Sequence, residues 1–153
     1  MGLYTGSGSV AAGATLGILN LHNTNASPRS RAYLSEIMLG SVTTPADHAT
    51  KLRIVRTTSI GTEDAGFLPL PIDPATPAMA ASQWDFGVGF SGGQPSKTDQ
   101  LLMFSFNQRN TVRWIARPGS ELIAPATQNN GLCLESVSST GTPLIDATMF
   151  FSE

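Results

Sequence analysis

The chain has 153 residues, with 9 Lys and Arg against 11 Asp and Glu, a net charge of −2 and only 13% charged residues. That length fits one domain able to bury about 70% of its unfolded surface; the absence of any basic cluster excludes a phosphate-tracking nucleic-acid surface, and a single cysteine, Cys133, excludes an intrachain disulfide. Ser and Thr number 32, so hydroxyls rather than ions solvate much of the surface, and a surface poor in ions costs little to bury against another protein.

Residues 1–13, MGLYTGSGSVAAG, are Gly-, Ser- and Ala-rich with Tyr4 as their one aromatic side chain. This composition predicts a flexible N-terminal arm, and Tyr4 becomes a candidate partner-interface residue. No basic residue precedes the apolar stretch that follows, and Gly13, Gly17 and Asn20 interrupt it, so neither a signal peptide nor a membrane span is expected. Residues 14–153 read as a single β-sandwich domain. Its first strand runs from 14 to 21 and ends at the turn-forming HNTNASPRS. Strand 31–39 places Tyr33, Ser35, Ile37 and Leu39 on one face and Ala32, Leu34, Glu36 and Met38 on the other.

SVTTPADHAT supplies turn chemistry before strand 51–58, where Leu52 and Ile54 share a face and Arg53 points the other way. Arg53 and Arg56 are expected on a solvated strand face, with Glu63 and Asp64 in the following GTEDAG turn, or a neighbouring chain, as ion-pair candidates. In FLPLPIDPATPA, Pro69, Pro71, Pro74 and Pro77 bar a helix or a central strand and predict a ribbon along the surface. One helical turn is expected around Ala78–Gln83, because Pro77 suits the first helical position, and the four glycines of residues 87–99 predict a long loop.

Strand 101–106 puts Leu102, Phe104 and Phe106 on one face, NQRN at 107–110 reads as a hairpin connection, and strand 111–116 alternates Val112, Trp114 and Ala116 with Arg113 and Ile115. Arg117-Pro118-Gly119-Ser120 is a turn by composition, and strands at 131–137 and 143–151 complete the chain. The expectation is an all-β fold, a β-sandwich or jelly roll of eight to ten short antiparallel strands with long loops.

Two catalytic patterns overlap at residues 87–93, and neither has its context. Gly87, Gly89 and Gly92 spell GxGxxG, but no helix follows to hold a pyrophosphate. Gly89, Ser91 and Gly93 spell GxSxG, but the nucleophile elbow requires a strand–turn–helix with an acid and then a histidine downstream, and both His22 and His48 lie upstream. His22, His48 and Cys133 lack paired-ligand spacing, so no metal or other cofactor is expected. Cys133, between two leucines, reads as a small buried hydrophobe. Trp84, Phe86 and Phe90 surround Asp85 beside the glycine loop. They either anchor a partner or stack on a sugar ring, or they fold back to cap the sandwich.

The run SRAYLSEIMLGSVTTPADHATKLRIVRTTSIGT, then PLPIDPATPA, and the C-terminal GLCLESV and ATMFFSE resemble a type of small tailed-bacteriophage structural protein. The resemblance covers about half of the chain. It implies a non-enzymatic β-sandwich of the virion, a head decoration or cement protein assembled in the host cytoplasm. Such a protein clamps the major capsid protein on the capsid surface, often as a homotrimer, with no nucleic-acid or membrane partner. A neck or tail protein of similar fold and a carbohydrate- or receptor-binding module are the alternatives, the latter requiring exposed rings at Trp84, Phe86 and Phe90.

Overall fold

Alternation of apolar and polar residues is converted into strand along nearly the whole chain. The computed structural model describes residues 2–13, 15–27, 30–42, 45–79 and 83–153. Among these the strands are β1 (Leu3–Ala11), β2 (Leu16–Asn23), β3 (Ala32–Val42), β4 (Ala49–Thr57), β5 (Ala65–Phe67), β6 (Leu70–Pro71), β7 (Trp84–Val88), β8 (Lys97–Asn107), β9 (Val112–Ile115), β10 (Leu122–Ala124), β11 (Gly131–Ser139) and β12 (Leu144–Ser152). All pair antiparallel in two six-stranded sheets, the first in the order β10-β3-β12-β1-β6 with β9 also on β3, the second in the order β5-β7-β2-β11-β4-β8. The protein is an all-β sandwich, and its twelve described strands exceed the eight to ten expected because short edge strands escape a reading by periodicity.

The core between the sheets holds Leu19, Leu21, Leu52, Ile54, Leu132 and Leu134 from the second sheet against Leu34, Ile37, Ile145, Met149 and Phe151 from the first. Strict alternation places Leu34 and Ile37 on opposite faces, yet both are fully buried in this core. A β-bulge reconciles them: the register of β3 on β12 slips between Phe150 and Phe151, so the strand rotates between Leu34 and Glu36. Leu52 and Ile54, and Phe104 and Phe106, face the core as their spacing predicts.

The N-terminal residues do not form an arm. β1 pairs with β12 along all of Leu3–Ala11, and Tyr4 is buried. Its glycines are the reason it fits: a side chain at Gly6 would lie 2.2 Å from the ring of Phe86, and one at Gly8 would lie 2.8 Å from Val88. The absence of side chains that suggested mobility is what lets the opposite sheet close on this strand.

Three further expectations are corrected. Residues 87–99 are not loop throughout: Gly87 and Val88 end β7, held between β5 and β2, and Lys97 begins β8. NQRN is not a hairpin, because β8 belongs to the second sheet and β9 to the first. That segment crosses the sandwich, and the buried Gln108 pins it by donating from Nε2 to the Thr140 carbonyl at 2.9 Å and from its amide to the His48 carbonyl at 3.0 Å. Arg53 and Arg56 do not pair with Glu63 or Asp64; their partners are Glu135 and Asp99. The proline ribbon does run along the surface, leaving Leu68, Leu70 and Ile72 exposed. The centre of the expected helical turn, residues 80–82, lies outside the described residues.

Candidate functional site

The four aromatic candidates are all interior. Trp84 and Phe86 are fully buried, and Phe90 and Tyr4 are 3% and 4% exposed. Tyr4 stacks on Phe151 at 5.7 Å, while Phe86 meets the edge of that ring at 5.9 Å and Trp84 lies tilted at 6.4 Å. The Tyr4 hydroxyl donates to the Pro77 carbonyl at 3.3 Å, and burial, with a smaller contribution from Glu153, raises its pKa. None of these rings offers a face to a sugar or a partner, so the stacking platform that a carbohydrate-binding module needs is missing at these positions.

Phe90 is buried elsewhere, in a second and smaller interior on the outer side of the second sheet. Asn20, His22, Thr57, Cys133 and Glu135 alternate along β2, β4 and β11 with the core leucines and therefore face away from the sandwich, yet each is at most 1% exposed. Residues 59–64 and 89–97 roof them over. The roof is tied together by Thr62 donating to the Gly93 carbonyl at 2.8 Å and Ser96 donating to Ser59 Oγ at 2.8 Å. It is tied to the sheet where the Gly17 amide donates to Gln94 Oε1 at 2.7 Å. Beneath it, His22 Nδ1 meets the Asn20 carbonyl at 3.2 Å and Thr57 Oγ1 donates to Asn20 Oδ1 at 3.3 Å. Glu135 is held by Arg53 and Lys97. Burial, and then the charge of Glu135, push the Cys133 thiol up to about 12, so it is no nucleophile.

The same roof disposes of the serine motif. Ser91 donates its hydroxyl to Asp64 Oδ1 and its amide to Asp64 at 3.2 Å, so the serine anchors a turn to an acceptor-only carboxylate. Among the described residues no cluster of His, Cys, Asp and Glu is arranged to hold a metal ion.

Glu63 lies against the second sheet at positions that only glycine leaves open: a side chain at Gly87 would meet Glu63 Oε2 at 2.3 Å. Its Oε2 is buried without a hydrogen-bond partner among the described residues. Burial, and then the charge of Asp85, raise the Glu63 pKa; burial also raises that of Asp85, against the opposing effects of the Phe86 amide and of His22. Burial lowers that of His22, the cross-strand neighbour of Asp85. A carboxyl whose folded pKa is raised destabilises the fold above that pKa and not below its unfolded value near 4.3. Glu63→Gln is therefore expected to raise the melting temperature at pH 7.5 and to leave it unchanged near pH 4, which thermal unfolding at the two pH values checks. His22 has the opposite sign, costing stability as pH falls below its unfolded value of about 6.5. An equal gain from Glu63→Gln at both pH values would refute the assignment.

The outer side of the first sheet is different. Leu3, Met38, Val42 and Ile115 are 43%, 45%, 43% and 56% exposed there, beside half-buried Leu144 and Phe150. The charges on this face are few: Asp146, and Glu36 paired with Arg113 at 2.6 Å. Ser7, Ser9 and Thr148 fill the rest. Periodicity set Met38 on the face opposite Ile37 and Leu39, and Ile115 opposite Val112 and Trp114, but the assembly of four strands into one charge-poor face depends on pairings that no local pattern contains. No protein-family model, curated protein or solved structure matches the chain.

Proposed function

We propose that the protein is a non-enzymatic structural component of a virus particle, a decoration protein that binds the major capsid shell of a tailed bacteriophage. The observation that carries this reading is the open face of the first sheet, where Leu3, Met38, Val42 and Ile115 stand exposed among hydroxyls with little charge. A charge-poor face of that kind loses few hydrated ions on docking to a protein shell. Many copies on a lattice multiply a weak contact into firm retention. The resemblance of its SRAYLSEIML, RTTSIGT and PLPIDPATPA segments to phage structural proteins supports the same reading.

The test is co-sedimentation of purified protein with shells assembled from the major capsid protein of a tailed bacteriophage. Wild type pellets with the shells at saturable stoichiometry. The Met38→Glu/Ile115→Glu variant, whose two positions are exposed and carry no core packing, stays in the supernatant. Absence of wild-type binding, or binding that the double variant retains, overturns the proposal.

A further inference from the structure

The edge of the first sheet beside β1 is unfinished. Antiparallel geometry sends the N–H and C=O of alternate residues to the same side. The Ala12 amide reaches inward to the Pro143 carbonyl at 2.8 Å, while the Leu3 carbonyl accepts outward from Ile72 at 3.0 Å. Leu3, Thr5, Ser7, Ser9 and Ala11 therefore aim their backbone groups away from β12. β6 and the following Ile72 cover this lane only at Leu3–Thr5. Among the described residues no strand lies beyond Gly6–Ala11 on that side, and Ser7, Ser9 and Ala11 are exposed.

Edge strands in soluble proteins are guarded by lysine, proline, bulges or a covering segment. Gly6–Ala11 has none of these: its sequence, GSGSVA, is uncharged, and its pairing with β12 is regular throughout. Its outward side chains are no larger than Ser, so another strand can approach to the ordinary spacing of about 4.8 Å.

We infer that this edge pairs with the same edge of a second copy, antiparallel and centred on Ser9, joining two first sheets into one continuous sheet. The register follows from the occupied lane. Because Leu70 fills the position beside Thr5, an incoming strand can run only along Gly6–Ala11. A two-fold axis at Ser9 sets Ser9 opposite its own copy and Ser7 opposite Ala11, and the chain then leaves at Ala12 before it would meet the partner's β6. The same register brings Leu70, which at 67% is the most exposed large apolar side chain described, toward the corner where Gly13 and exposed Leu16 of the other copy lie.

Charge favours a second copy as the occupant. No charged residue lies in Leu3–Ala11 or in Leu70–Ile72, the two segments that form this edge. The nearest charge on the sheet, Asp146 on β12, would face its counterpart across three strand spacings, about 14 Å. That exceeds the screening length of about 8 Å at physiological salt. An edge paired with itself is isologous and closes at two copies, so assembly through this edge gives a dimer rather than the trimer that the resemblance implies.

Light scattering during size-exclusion chromatography over a concentration series is the first test. Wild type is expected to approach about 32 kDa, twice the 16.1 kDa chain mass, with rising concentration. Ser9→Pro removes the outward N–H, which the fold does not use, together with the hydrogen bond that the Ser9 hydroxyl donates to Asp146; it is expected to raise the dissociation constant by about tenfold or more, whereas Ser9→Ala, which loses only the hydroxyl, leaves it unchanged. As an independent measurement, Ser9→Cys is oxidised. Hydrogen-bonded antiparallel pairs have Cα atoms about 5.5 Å apart, within disulfide range, so a covalent dimer forms, while the buried Cys133 stays reduced. A monomer at every concentration, a trimer, or a dimer that Ser9→Pro leaves intact and Ser9→Cys fails to cross-link overturns the inference. A monomer whose Ser9→Pro variant loses shell binding also overturns it, by showing that the edge serves the shell and not a second copy; failure of shell binding alone leaves the dimer result unaffected.

Discussion

Truncating Phe151 to alanine is expected to lower the unfolding free energy by about 3–5 kcal/mol, the range for a fully buried phenylalanine in a core that cannot collapse on the gap. Phe151 is fully buried and is the ring on which the two sheets meet. Tyr4 stacks on it from β1 of its own sheet at 5.7 Å, while Phe86 and Trp84 approach from β7 of the other sheet at 5.9 and 6.4 Å. Each such contact adds about 0.5–1.5 kcal/mol beyond the area it buries. Domains of this size are stable by about 5–15 kcal/mol in total, so the loss is a large part of what holds the fold. Urea unfolding followed by Trp fluorescence measures it. Phe151→Leu, which keeps most of the volume, should cost less than half as much, and a loss under about 1 kcal/mol for Phe151→Ala would mean that the aromatic cluster does not join the sheets.

The same cluster shows what local pattern can and cannot reveal. Leu52 and Ile54, or Val112 and Trp114, announce their strands because alternating burial is written into consecutive residues. β7 carried the same signal, Trp84, Phe86 and Val88 alternating with Asp85 and Gly87, but the glycines from Gly87 onward put its last two residues into the expected loop. β1 carried no apolar signal at all. Its order comes from Phe86 and Val88, some eighty residues away, which fill the space that Gly6 and Gly8 leave. Asn20, His22, Thr57 and Glu135 carry no local sign of burial for a similar reason: the roof that buries them is supplied by residues 59–64 and 89–97, and local alternation cannot tell a polar residue facing water from one facing a lid. The open edge and the charge-poor face likewise emerge only when β1, β3, β9 and β12 are laid side by side.

Glu135 is the residue by which that lid is tied down, and Glu135→Ala is expected to cost about 3 kcal/mol, the lower part of the range for breaking a buried ion pair. The carboxylate is fully buried, whereas the Arg53 and Lys97 side chains are 28% and 19% exposed. After truncation the two cations can turn partly to water, which keeps the loss from reaching the top of the range. Lys97 also donates to the Thr15 carbonyl at 3.1 Å and begins β8 where the roof ends, so amide exchange in residues 89–97 should quicken more than exchange in β11 itself. High salt should leave the cost nearly intact because the pair is sheltered. By contrast, Arg113→Ala, which breaks the exposed pair with Glu36, should cost far less than Glu135→Ala and lose its effect in salt. Replacing all three partners together, Glu135→Leu with Arg53→Met and Lys97→Met, removes the unpaired charge and should recover most of the loss. If the triple variant is as unstable as Glu135→Ala, the interior under the roof depends on the packing of the glutamate and not on its charge.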